Sequence, residues 1–209
     1  MNINNVSTPT EVPEDIWKAI FDKQWELAKK YEDIEDMGTL LFDLETNIDT
    51  ANGQKWIKDF SWRVTEELTE AQEAIQLFTD AAEDKDYPLA NTCLQHYVEE
   101  LIDALHFLTE LTLIAGYREE IIEDVWPDSD NTLGWENVVY YLGLMCNCLK
   151  NKPWKQTQML TDRVKFKTYL DNAWFSLLSV LAQRVNKDQV YLYYFKKNAV
   201  NQFRIRSKY

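Results

Sequence analysis

Two acidic pairs stand out by residue type and spacing: Glu67-Leu-Thr-Glu70 and, later in the chain, Glu100-Leu-Ile-Asp103. Four carboxylates in i, i+3 pairs can converge on a hard divalent cation such as Mg²⁺, which takes oxygen ligands and keeps room for water and phosphate oxygens. A third set lies in the last stretch, YLYYFKKNAVNQFRIRSKY, where Lys197, Asn201, Arg204 and Tyr209 recur close to one helical face with a short tail beyond. Lys and Arg donate to phosphate, Arg through a bidentate fork, and Asn and Tyr add neutral hydrogen bonds. Acids that hold a cation and bases that hold phosphate are the two halves of a nucleoside triphosphate clamp.

The elements that must position these residues are helices. Five Gly and five Pro in 209 residues leave few turn-makers, which favours long helices over many short strands. Helical periodicity places Phe60, Val64, Ala71, Ile75 and Phe78 in one stripe. Glu67 falls inside that stripe and Glu70 at its edge, beside Ala74, whereas Glu66 and Glu73 fall outside. On the next helix Leu94, Val98, Leu101, Leu105, Leu108 and Thr112 form the main stripe. Glu100 and Asp103 share a flanking column with Phe107, Leu111 and Ile114, while Glu99 and Glu110 belong to the polar side. Either pair alone reads most simply as solvated helix charge. Two inward pairs on adjacent helices instead call for a compensating cation. With only His96 and His106 in the chain, and Asp103-x-x-His106 the single imperfect match to a di-iron Glu-x-x-His unit, an all-oxygen Mg²⁺ site fits better than iron or zinc. His106 reads as a hydrogen-bonded structural residue.

The spacing predicts a loose arm over 1–14 and one all-α domain over 15–209, a bundle of long helices with a shorter helical insert. The first helix is expected to start near Pro13 and is followed by a connector over 36–52. Long helices are expected over 53–80 and 90–115, separated by AAEDKDYPLAN and ended at Gly116. Shorter ones follow over 118–124 and 134–149, then a basic loop over 150–158, and helices over 163–184 and 187–204. The net charge of −13 is uneven. Residues 150–209 carry 13 Lys and Arg against three Asp and Glu, and residues 1–149 carry nine against 32. An acidic body speaks against a nucleic-acid partner. No apolar run approaches a membrane span, and the N-terminal residues do not read as a signal peptide. Three cysteines without zinc-type spacing read as reduced thiols, consistent with a cytoplasmic protein, or host cytoplasm for a viral one.

Together the motifs resemble the all-α nucleoside triphosphate pyrophosphatases, which include the dimeric dUTPases, the T-even phage dCTPase-dUTPase and the MazG proteins. The signature E-x-x-E … E-x-x-D is met by Glu67–Glu70 and Glu100–Asp103. The continuation DALHFLTELTLIAG and the tail KNAVNQFRIRSKY look like the dimeric dUTPase and phage pattern; MazG proteins lack that tail. The resemblance covers residues 15–209. It implies a homodimer and Mg²⁺ held by Glu67, Glu70, Glu100 and Asp103, with Mn²⁺ as a substitute. It also implies a deoxynucleoside triphosphate substrate, dUTP first and dCTP second, cleaved to monophosphate and pyrophosphate. Glu70 is then the residue that orients or deprotonates the attacking water; pairing Glu70 with Glu73 is disfavoured because Glu73 points away. Lys197, Arg204 and Tyr209 would bind phosphates and Asn201 the nucleotide. Gln24-Trp-Glu-Leu27 matches the Q-x-x-L element for the base, with Ala28 where the dUTPases have Asn. Their W-K-x-W-K element is missing between the acidic motifs, and Trp154-Lys155 is the nearest equivalent. These departures keep open a MazG-like pyrophosphatase for other nucleotides. An acidic helical interaction protein without catalysis is the alternative of another class.

Overall fold

The computed structural model describes residues 9, 11–32, 34, 37, 44–122, 126–130, 133–149 and 161–207, the last two as backbone only. Among them there are seven α-helices, a 3₁₀ turn and no strand: α1 (Ile16–Tyr31), α2 (Leu44–Asn47), α3 (Ala51–Glu83), α4 (Tyr87–Ile114), the 3₁₀ turn Glu119–Ile121, α5 (Trp135–Cys148), α6 (Arg163–Ala182) and α7 (Lys187–Ser207). The all-α expectation holds. The expected loop over 150–158 lies outside the described residues.

Side-chain caps explain where the sequence boundaries shift. Asp15, not Pro13, starts α1 by accepting from the Lys18 amide at 2.9 Å. Thr50 caps α3 through the Gly53 amide at 3.0 Å, so the helix begins at Ala51. Asp86 accepts from the Leu89 amide at 3.1 Å, and Pro88 sits in the first turn of α4, where a missing N–H costs nothing. The expected break over AAEDKDYPLAN therefore shrinks to residues 84–86, with Lys85 in the left-handed region at φ 62°. The short connection makes α3 and α4 an antiparallel pair of unusual length for a small domain.

α3 and α4 pack on each other along this hairpin, α5 and α6 form a second pair, and α1 and α7 pack together and on α4. Trp174 of α6 joins the layers. Its ring meets Phe21 at 5.8 Å and Trp17 at 6.3 Å between centroids, and its indole N–H donates to Thr112 Oγ1 at 2.9 Å. This buried donor is satisfied, as burial of a polar group requires. The result is an α4 touched by α1, α2, α3, α6 and α7.

Two glycines test the packing. A Cβ on Gly53 would lie 2.1 Å from the carbonyl oxygen of Asn47, a backbone atom that cannot swing away, whereas one on exposed Gly143 in α5 would meet nothing within 4 Å. Gly53→Ala is expected to destabilise the protein by about 2 kcal/mol or more through overpacking. Gly143→Ala is expected to stabilise it by about 0.5–1 kcal/mol through helix propensity. Denaturant melts of the two variants check the opposite signs.

Candidate active site

α3 and α4 face each other so that Glu67, Glu100 and Asp103 each bring a carboxylate oxygen within 4.8 Å of the other two. Glu100 is buried, and Glu67 and Asp103 are half-buried. Burial, a hydrogen bond with Glu100 and the charges of Asp103, Glu100 and Glu70 push the Glu67 carboxyl up to about 8. A hydrogen bond between two carboxyl groups needs a proton, so the pair titrates as a unit. Burial also pushes Asp103 up to about 6, against the Lys197 ammonium, which pairs with it directly. His96 Nδ1 lies 3.0 Å from Glu100 Oε1 at the outer edge of the cluster. All three converging donors are carboxylate oxygens, so the residues fit a hard divalent cation. Such an ion would relieve the repulsion that now holds protons on the cluster.

Glu70 does not join this group. Its side chain is exposed, one turn beyond Glu67, which corrects the expectation that it points inward. Ala71 and Ala74 take the covered positions on either side of it. Its charge still reaches the cluster, since it contributes to the raised Glu67 pKa. Glu66, Glu73 and Glu99 are exposed as expected.

α7 closes the other side. Lys197 meets Asp103, while Asn201 and Arg204 line a cavity of about 200 Å³ together with Gln24, Asp103 and Phe107. Asp103 of the carboxylate cluster, Asn201 and Arg204 of α7 and the α1 glutamine thus border one cavity. Arg63 of α3 also lines it; its guanidinium sits 4.6 Å from the Phe60 ring centroid and 5.7 Å from that of Phe107. The periodicity argument passed over Arg63, although a cation one turn before Glu67 could have flagged it. Three sequence candidates, Tyr209, Trp154 and Lys155, lie outside the described residues.

A buried polar network forms the inner wall of the cavity, which Gln24, His106 and Glu110 line. Gln24 donates from Nε2 to Glu110 Oε2 at 2.7 Å, and its Oε1 accepts from the Tyr194 hydroxyl. His106 Nδ1 stands 3.0 Å from the same Oε1, and Nε2 stands 3.3 Å from the Tyr194 carbonyl oxygen. The His106 and Tyr194 rings stack with centroids 3.8 Å apart. Burial holds the His106 imidazole down to about 3, so it is neutral at ordinary pH. Burial and the Glu110 charge keep the Tyr194 phenol protonated. The structural reading of His106 holds. Glu110, assigned by periodicity to the polar side, is instead only 5% exposed. The reason is that α4 has no solvated face in its second half, because helices cover it all round.

Comparison with known proteins comes down to one match. A family model described as dUTPase matches residues 16–209. No curated protein and no solved structure matches the chain.

The raised Glu67 pKa has a thermodynamic sign. Between about 4.5 and 8 the folded protein holds a proton there that the unfolded chain has lost, so stability falls as pH rises through that window. The melting temperature of the metal-free protein in chelator is expected to drop from about pH 5 to about pH 8, and Mg²⁺ to raise it most at the alkaline end, where it replaces the protons. Glu67→Gln is expected to flatten the pH dependence. Thermal melts across pH, with and without Mg²⁺, decide; a native protein indifferent to both would mean that the three carboxylates do not share a site.

Proposed function

The chain belongs to the dUTPase family of nucleotide pyrophosphatases, and on that premise we propose that it hydrolyses dUTP to dUMP and pyrophosphate with Mg²⁺, dCTP being the second substrate to consider. The observation that carries the reading is that Asp103, one of the three converging carboxylates, pairs with Lys197 of α7 and lines the same cavity as Arg204 of α7. Glu67, Glu100 and Asp103 would hold the ion, with Glu70 reaching it from the rim; Mn²⁺ has the same preference for oxygen ligands. Mg²⁺, when bound, supplies positive charge to the phosphate oxygens and acidifies a water molecule.

The chain's own residues do the rest. Lys197 and Arg204 neutralise the charge that builds on the phosphates as the bond breaks. Asp103 keeps the Lys197 ammonium close to the cation cluster. Glu70, solvated and next to the acidic group, takes the proton of the attacking water. Gln24 and Asn201 face the base, and the half-buried Phe107 ring offers it an apolar wall. Tyr209, Trp154 and Lys155 complete the proposed substrate set from the resemblance alone, as does a homodimer. No helix among the described residues is long and apolar enough to cross a membrane, which suits work on a free nucleotide in the cytoplasm.

A panel of dNTPs and NTPs with Mg²⁺, scored for monophosphate and pyrophosphate, tests this. dUTP is expected to be cleaved, and chelator to stop the reaction. Because Glu70 is exposed, Glu70→Gln should leave the melting temperature unchanged while lowering kcat by about 100-fold or more, the usual loss for a general base. Cleavage of purine nucleotides alone would favour the MazG-like reading, and cleavage of none would leave the non-catalytic one.

A further inference from the structure

The buried network at the inner wall of the cavity does more than fill space, because it constrains a group that can otherwise face two ways. A glutamine amide presents an acceptor on one side and two N–H donors on the other, and a half-turn about its last bond exchanges them. Around Gln24 that exchange is blocked. Glu110, a carboxylate, stands against Nε2 at 2.7 Å and would repel an oxygen in its place. On the other side the Tyr194 hydroxyl donates to Oε1. What Gln24 has left for the cavity it lines is the second hydrogen of Nε2.

We infer that Glu110 and Tyr194 are positioning residues that lock the Gln24 amide as a hydrogen-bond donor toward the bound base, so that the site takes uracil in preference to cytosine. The inference rests on the hydrolase reading above. At ring position 4 uracil carries a carbonyl oxygen, which accepts, and cytosine an amino group, which donates. A locked donor pairs with the first and is left facing another donor with the second, at the cost of a buried unmade hydrogen bond. The rest of α1 cannot compensate, because Ala28, one turn on from Gln24, is fully buried and apolar. Asn201, which also lines the cavity, has no side-chain hydrogen-bond partner among the described residues and can turn its amide to suit either base. Of the two amides that line the cavity, discrimination therefore falls to the glutamine, whose orientation is held by its neighbours. Tyr194 does not line the cavity and acts through Gln24, while Glu110 lines it beside Gln24 with its Oε2 taken up by the Gln24 amide.

The test is kcat/KM for dUTP and for dCTP, with Mg²⁺, in the full chain and in the Glu110→Gln and Tyr194→Phe variants, with melting temperatures alongside. The wild-type protein is expected to prefer dUTP. Each variant is expected to lose at least about tenfold of that preference, by a higher KM for dUTP and a gain on dCTP, while kcat on dUTP stays close to wild type. A general weakening of the fold would lower activity on both nucleotides and leave their ratio alone. Should Glu110→Gln not fold, Tyr194→Phe decides, since it removes one hydroxyl and keeps the ring stacked on His106. A wild type that cleaves dUTP and dCTP equally, or folded variants with the wild-type ratio, overturns the lock. A wild type that cleaves neither overturns the hydrolase reading itself, and the lock with it.

Discussion

Like charges held together at the seam of α3 and α4 are the constraint around which the molecule is arranged. Glu67, Glu100 and Asp103 repel one another and lose solvent, and the raised pKa of Glu67 records both effects. Helices tolerate such an arrangement only when something stiff prevents them from parting. Here the stiffness comes from the longest hairpin in the chain, closed by three residues at one end and packed along its length. Apolar residues on either side of the acids, Val64 and Leu68 on α3 and Leu101 and Leu105 on α4, are fully buried. Their burial offsets the electrostatic cost locally.

The charge asymmetry of the chain follows from the same constraint. The basic C-terminal segment is folded back as α7 onto α4, so Lys197 reaches Asp103 and Arg204 reaches the cavity. In the absence of a cation Lys197 is the nearest positive charge to the cluster. A cation and a phosphate chain would redistribute these pairings, the carboxylates turning to the metal and the bases to the phosphates. A site of this kind has its two halves held close before the substrate arrives, which lowers the ordering cost of binding.

α7 has a second task at its middle. Tyr194 is fully buried there, stacked on His106 and bonded to Gln24, with Asn198 buried one turn later. One helix thus carries Lys197 and Arg204 on its more open part and Tyr194, bonded to Gln24, on its buried part. The side of the pocket around Gln24, His106 and Tyr194 is buried, whereas Glu70 and Arg204 are exposed.

Much of this was legible in the residue order. Helix type and number follow from periodicity and scarce Gly and Pro, and the i, i+3 spacing was enough to put Glu67, Glu100 and Asp103 on inward columns. Caps such as Asp15, Thr50 and Asp86 were visible as residue types, but competing start signals nearby, Pro13 and Pro88 among them, blurred the boundaries. Two acids came out the other way round: Glu70, expected inside, is exposed, and Glu110, expected outside, is buried. The physical reason is the same for both. Periodicity tells which side chains share a face of one helix; it does not tell how many neighbours cover that helix. α3 has its acidic end open to solvent beside Ala74, whereas α4 is enclosed by five elements. The residue order by itself determined which groups could do chemistry and in what pairs. Only the packing of α1 and α7 against α4 decided which of them meet, because contact between helices is set by shape and burial across the whole bundle rather than along any one of its strands of sequence.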